Sequence, residues 1–183
     1  MRLAKLKKKT GDVFDIQWKP FALRPEPDPS AAFQGTYRED AWKRVAELLS
    51  QEGIQVKIWE RSDFPDCSLP ALQAGLCASR QGREAWADLH LRLYEAFFVR
   101  GINIGRKEEV IEVAREAALD FTRFLTDYNS DGLAAETIKA CARTIEEYQV
   151  RAVPTVIFPS GKLVGAYPED QYRQALERSG VKL

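Results

Sequence analysis

The chain has 183 residues, 45% of them hydrophobic and 30% charged, which is enough for a packed domain with an insertion and excludes a disordered tract. Its 27 basic residues balance 27 acidic ones, so no net field draws it to nucleic acid or to an anionic membrane. No apolar run reaches membrane-spanning length, and "MRLAKLKKKT" is charged with no apolar stretch after it, so a cytoplasmic protein with no membrane partner is expected.

In chain order, "RLAKLKKKT" predicts a short helix with Leu3 and Leu6 on one face and Gly11 as its stop. Lys5, Lys7, Lys8 and Lys9 read as a solvated helix end favoured by the C-terminal dipole. This helix starts at residue 2 without a capping residue. "VFDIQWKPFAL" alternates Phe14, Ile16 and Trp18 and predicts a strand. Pro25, Pro27 and Pro29 then make "RPEPDPS" an extended loop.

From Glu39 to Gln149 helical periodicity dominates. "EDAWKRVAELLSQEG" carries Trp42, Val45, Leu48 and Leu49 to a stop at Gly53, and "GIQVKIWERSDFPDC" is an extended connector. "SLPALQAGLCASRQG" is expected to open on Ser68 as N-cap. "REAWADLHLRLYEAFFVRG" aligns Trp86, Leu89, Leu93 and Phe97, and two shorter helices follow over "KEEVIEVAREAAL" and "FTRFLTDYNSDG". "LAAETIKACARTIEEYQV" lines up Ile138, Cys141, Ile145 and Tyr148. Two strands, "TVIF" and "KLVGA", are expected to pair antiparallel across the turn, ahead of a final helix over "PEDQYRQALERSG". The order is that of an α/β frame with an all-helical insertion.

Residues with reactive side chains form no recognisable catalytic or metal pattern. Cys67, Cys77 and Cys141 are odd in number and lack both a C-x-x-C pair and zinc spacing, which suits a reducing compartment. Cys77 and Cys141 read as helix packing, and Cys67, in the connector, as the one open to solvent. His90 reads as a structural helix residue, Glu108/Glu109 and Glu146/Glu147 as solvated faces, and the four tryptophans as core. The one feature that asks for explanation is a buried strand that opens on Pro154. A proline there breaks no ladder bond, and local rules leave open a cis Val153–Pro154 bond or a trans proline at an edge strand. If cis, Val153 turns its backbone N–H and C=O outward, where an extended peptide can pair.

"VRAVPTVIF" followed by "GKLVGAYPEDQYRQAL" resembles the terminal strand, hairpin and helix of DsbA-like thioredoxin-fold proteins, nearest to their FrnE-like cytosolic branch. The likeness extends through "QWKPFALRPEP", "LQAGLCASRQG" and "LHLRLYEAFFVRGINI". It implies a thioredoxin-like part over residues 1–30 and 148–183, with a helical insertion over 36–147. It also implies thiol–disulfide oxidoreductase chemistry on a thiol- or disulfide-bearing protein or a small thiol, without metal or organic cofactor. Val153 and Pro154 become the substrate-binding positions, with their bond cis. The family's Cys-x-x-Cys, at the start of its first helix, has no counterpart in this sequence, nor has the strand before it. The expectation is therefore a fold lacking its first strand, no catalytic residue in this chain, and about 15–25 residues with the dithiol upstream of Met1. Two other readings stay open. One is a glutathione-dependent 2-hydroxychromene-2-carboxylate isomerase or kappa-class transferase, whose hairpin continues into a Gly-Gln-Asp-Arg-type sequence where this chain has Gly165, Ala166, Tyr167 and Pro168. The other is a non-catalytic module that uses only the Val153–Pro154 groove.

Overall fold

The computed structural model describes residues 2–51 and 53–183 and is mainly helical, with one two-stranded sheet. Its elements are α1 (Arg2–Thr10), α2 (Tyr37–Ser50), α3 (Leu69–Ser79), α4 (Arg83–Glu95), α5 (Lys107–Arg115), α6 (Phe121–Tyr128), α7 (Leu133–Tyr148), β1 (Thr155–Phe158), β2 (Gly161–Val164) and α8 (Glu169–Arg178). The helix read to Gly53 ends at Ser50, and Glu52 and Met1 lie outside the described residues. The chain divides into two compact units, Met1–Phe21 with Cys141–Leu183, and Ala22–Ala140.

In the first unit, Leu6 of α1 is fully buried against Phe158, Tyr172, Ala175 and Leu176, so α1 and α8 share one core with β1. The hairpin pairs Thr155 with Val164, Val156 with Leu163, Ile157 with Lys162 and Phe158 with Gly161. Strand alternation sends Val156, Phe158 and Leu163 into that core and leaves Ile157 and Val164 exposed on the other face. The second strand stops at Val164, short of the expected "KLVGA", because Gly165 leaves the ladder at φ +112°.

"VFDIQWKPFAL" is not a strand. Phe14 does reach the core cluster, and Lys7 Nζ donates to its carbonyl at 2.8 Å. An alternating pattern, however, prescribes only which side chains turn inward; a strand also needs a neighbouring edge, and among the described residues this segment has none. Nor does α7 bury the stripe expected of it. Cys141 is buried, with Thr137 and Thr144 beside it, while Ile138 and Ile145 are exposed. The inward face is rotated by about one residue, and Thr137 Oγ1 donates to the Leu133 carbonyl at 2.8 Å, so its burial leaves no hydroxyl unpaired.

The second unit centres on small residues of α3, Ala74, Cys77 and Ala78, against Leu89, Val110, Val113 and Phe124 of α4, α5 and α6. A second cluster packs Phe33, Trp42, Trp59 and Phe64 with Phe97 and Phe98. Trp42 and Trp59 are thus core, as the sequence suggests, while Trp18 is exposed. Thr36 caps α2 by accepting the Arg38 N–H, and Asp120 caps α6 by accepting the Arg123 N–H. Ser68 stands at the N-cap position of α3, as expected, but its side chain makes no cap bond. Its Oγ accepts the Arg24 N–H at 3.0 Å and its own N–H donates to the Arg24 carbonyl at 2.8 Å, which ties the proline-rich loop to the connector instead. The stretch read as one helix to Gly101 widens after Glu95 into a π-helical turn, Ala96–Arg100.

Candidate substrate-docking edge

Helix α7 ends where Gln149 adopts a left-handed φ of +51°. Lys162 Nζ, on β2, donates to the carbonyls of Tyr148 and Gln149 at 3.3 and 3.5 Å, so a cation covers the acceptor end of the helix. Val150 is buried, and the four residues after it are exposed. The Val153–Pro154 bond is cis. Thr155 Oγ1 donates to the Ala152 carbonyl at 2.6 Å and the Gly165 N–H donates to the Pro154 carbonyl at 2.8 Å, which fixes the chain on both sides of Val153. Val153 itself is 42% exposed, and among the described residues neither its N–H nor its C=O makes a hydrogen bond. A strand start with free backbone groups can take an extended polypeptide by main-chain pairing. Lys19 Nζ, 5.4 Å over the Tyr148 ring, adds a cation to the same unit.

Cys67, Cys77 and Cys141 form no disulfide. Cys77 is fully buried, and burial pushes its thiol up to about 11, away from the reactive thiolate. Cys141 is buried on α7. Cys67 is half-buried, and its Sγ accepts the Leu69 N–H at 3.5 Å. His90 stacks on Trp86 with ring centroids 4.3 Å apart and meets Tyr94 edge-on at 4.7 Å. Burial holds its pKa down to about 4, so it is a neutral aromatic member of an α4 ladder at ordinary pH.

Glu109 departs from the solvated-face reading. Arg61 makes a double fork, bonding Asp63 and Glu109 with all four contacts at 2.7 Å, and Arg106 Nε reaches Asp63 at 2.9 Å. Hydrogen bonding to Arg61 holds Asp63 down at about 2. Spacing in the sequence gives no hint of this node, because its members lie 48 residues apart. A cleft of about 210 Å³ beside it is lined by Asp28, Asp63, Asp66, Asn103 and Arg106. Among the described residues no group of three His, Cys, Asp or Glu side chains has the spacing to hold a metal ion, and no helix is long and apolar enough to cross a membrane.

The sequence pattern of the DSBA-like thioredoxin domain matches residues 1–177. The chain belongs to that family. The fold agrees: a candidate protein disulfide isomerase from Nitrosomonas europaea superposes with a TM-score of 0.74 at 12% identity, over 96% of this chain and 86% of that one. The fold is therefore DsbA-like thioredoxin, realised here mostly in helix with little sheet. The uncharacterized protein YwbO of Bacillus subtilis (strain 168) is 24% identical over 168 residues, 91% of this chain and 82% of its own length. The ClpXP adapter protein SpxH of the same organism is 27% identical over 147 residues, 75% of this chain; the match spans 48% of SpxH, about half its length.

Proposed function

We propose that this chain serves thiol–disulfide exchange of the FrnE-like type, and that its own contribution is to hold the extended thiol- or disulfide-bearing polypeptide, or the small thiol, on which exchange acts. Val153 carries this reading: it is exposed, its backbone donor and acceptor are free among the described residues, and it stands where a strand begins. In such exchange a thiolate attacks one sulfur of a disulfide, a mixed disulfide forms, and the other sulfur leaves as thiolate. Pro154 and Val153 would position the substrate sulfur for that attack. Cys67, Cys77 and Cys141 are not the attacking group in this reading, since two are buried and no two of them stand as a C-x-x-C pair. The test is titration of the isotopically labelled chain with an extended peptide containing a disulfide. The Val153 amide resonance should shift and its hydrogen exchange should slow; an unchanged Val153 amide at saturating peptide would overturn the proposal.

A second reading has an observation of its own. The relative SpxH is by name an adapter, and this sequence has no C-x-x-C dithiol, so the same edge would serve to present a bound polypeptide without chemistry. Peptides with and without cysteine separate the two. Equal affinity supports the adapter reading, and a requirement for the disulfide supports exchange.

A further inference from the structure

The exit from α7 is closed by a side chain from another element. The last carbonyls of a helix lack intrahelical donors, and after a left-handed residue the next backbone N–H groups ordinarily turn back to satisfy them. Gln149 supplies the left-handed residue, at φ +51°, yet among the described residues no N–H of Val150, Arg151 or Ala152 returns to α7. Lys162 Nζ takes their place on the Tyr148 and Gln149 carbonyls, at 3.3 and 3.5 Å. Lys162 lies on β2 in register with Ile157, so this reach ties the helix exit directly to the hairpin. Beyond it, residues 151–154 are exposed. Their further restraints are the buried Val150 side chain before them, Thr155 Oγ1 on the Ala152 carbonyl and the Gly165 N–H on the Pro154 carbonyl.

We infer that Lys162 is a positioning residue for docking at Val153: its ammonium holds the end of α7, and through it residues 150–153, in the arrangement that presents the Val153 N–H and C=O. The inference rests on the docking reading proposed above and adds the group that keeps that edge prepared. A polypeptide that pairs with a main-chain edge binds best when the edge is already ordered. An arrangement that must be selected first raises the apparent Kd by the inverse of its population. Charge is what the position requires. A lysine stem beside Ile157 covers apolar surface, and a methionine would cover it as well. Only the ammonium can bond both carbonyls and oppose the negative end of the helix dipole. Among the described residues Lys162 has no carboxylate partner, so its cation is committed to the helix end. The side chain is exposed, and an exposed substitution costs little global stability, so its effect on docking can be read apart from folding.

The test compares Lys162→Met, which keeps the stem and removes the charge, with Lys162→Arg, which restores the charge. Lys182→Met, at an exposed lysine of the same unit, is the control. In the peptide-free chain, amide relaxation should show order parameters at residues 151–153 falling from about 0.85 to below about 0.6 in Lys162→Met. The probe for docking is an extended disulfide-containing peptide with blocked ends and no ionisable side chain, which removes direct attraction to the ammonium. Its Kd should rise at least about fivefold in Lys162→Met. Lys162→Arg should recover both quantities, Lys182→Met should leave both as in the unaltered chain, and the urea midpoint should be the same in all four proteins. Order parameters and Kd that Lys162→Met leaves unchanged would overturn the inference. So would loosening that spreads through the Val156 and Phe158 amides with a lower urea midpoint, which would make Lys162 a stabiliser of the hairpin. A defect that Lys162→Arg leaves unrepaired would overturn it too. If the unaltered chain does not bind the peptide, the docking reading falls, and the relaxation data still decide whether Lys162 holds the segment.

Discussion

Asn103 donates through Nδ2 to the Asp63 backbone carbonyl at 2.7 Å, from a side chain that is only 2% exposed. Its backbone N–H donates to Glu109 Oε2 at 2.9 Å and its Oδ1 accepts the Gly105 N–H at 3.0 Å, so one amide joins the connector to the start of α5. Replacing Asn103 by Ala leaves the Asp63 carbonyl and the Gly105 N–H without their partner. A loss of about 2–4 kcal/mol is expected, two unpaired polar groups at about 1–2 kcal/mol each, read from the urea midpoint at constant m-value. A loss below about 0.5 kcal/mol would show that water replaces the amide at no cost.

Gly105 is constrained by the same turn. A Cβ there would lie 3.1 Å from Asn103 Oδ1, 3.1 Å from the Cys67 carbonyl oxygen and 3.2 Å from Pro65 Cα. Two of those atoms are backbone, so Gly105→Ala should destabilise by about 1–3 kcal/mol, the cost of overpacking. Thermal unfolding checks it, and an unchanged midpoint would mean that the connector yields freely.

His90 gives the chain a pH dependence whose sign is fixed by its depressed pKa. The unfolded chain takes up a proton near 6.5 and the folded chain only near 4, so in that window the unfolded state binds more protons. Above about 6.5 His90 contributes no slope. As pH falls from about 6.5 to about 4, stability should drop by up to about 1.4 kcal/mol per unit. Urea unfolding across this range should show the drop, and His90→Phe, which keeps a ring on Trp86, should flatten it. Equal slopes in the two proteins would assign the effect to other groups.

The thiols should separate by burial. Cys67 should react with a chromogenic disulfide reagent in the native chain, and Cys77 and Cys141 only at the rate of unfolding. Native labelling of Cys77 would contradict its position in the α3 core.

Disulfide-exchange activity of the chain alone should be close to background in an insulin-reduction assay, and Cys67→Ser should not change it. Turnover comparable to a dithiol oxidoreductase, lost on Cys67→Ser, would place the nucleophile at Cys67 and redraw the site.

Local sequence determined most of the elements, because capping, glycine stops and apolar spacing act within a few residues. The antiparallel pairing of "TVIF" with the segment after the turn was legible, although β2 runs Gly161–Val164 rather than over "KLVGA", and the family followed from the terminal motif around Pro154. Tertiary structure alone decided what depends on distant partners. "DIQW" carries a strand's alternation but finds no neighbouring edge, and a ladder is a property of two segments. Ser68 was placed to cap α3, yet Arg24 offered its oxygen a better-positioned donor. Ile138 and Ile145 match a helical stripe, but the face of α7 that turns inward is set by what packs on it, and Thr137, Cys141 and Thr144 are the ones buried. Glu109 looks like any surface carboxylate until folding brings Arg61 to it across 48 residues of chain. Val153 was visible in the sequence as a position, but its free backbone groups appeared only once every other hydrogen bond around it had been placed.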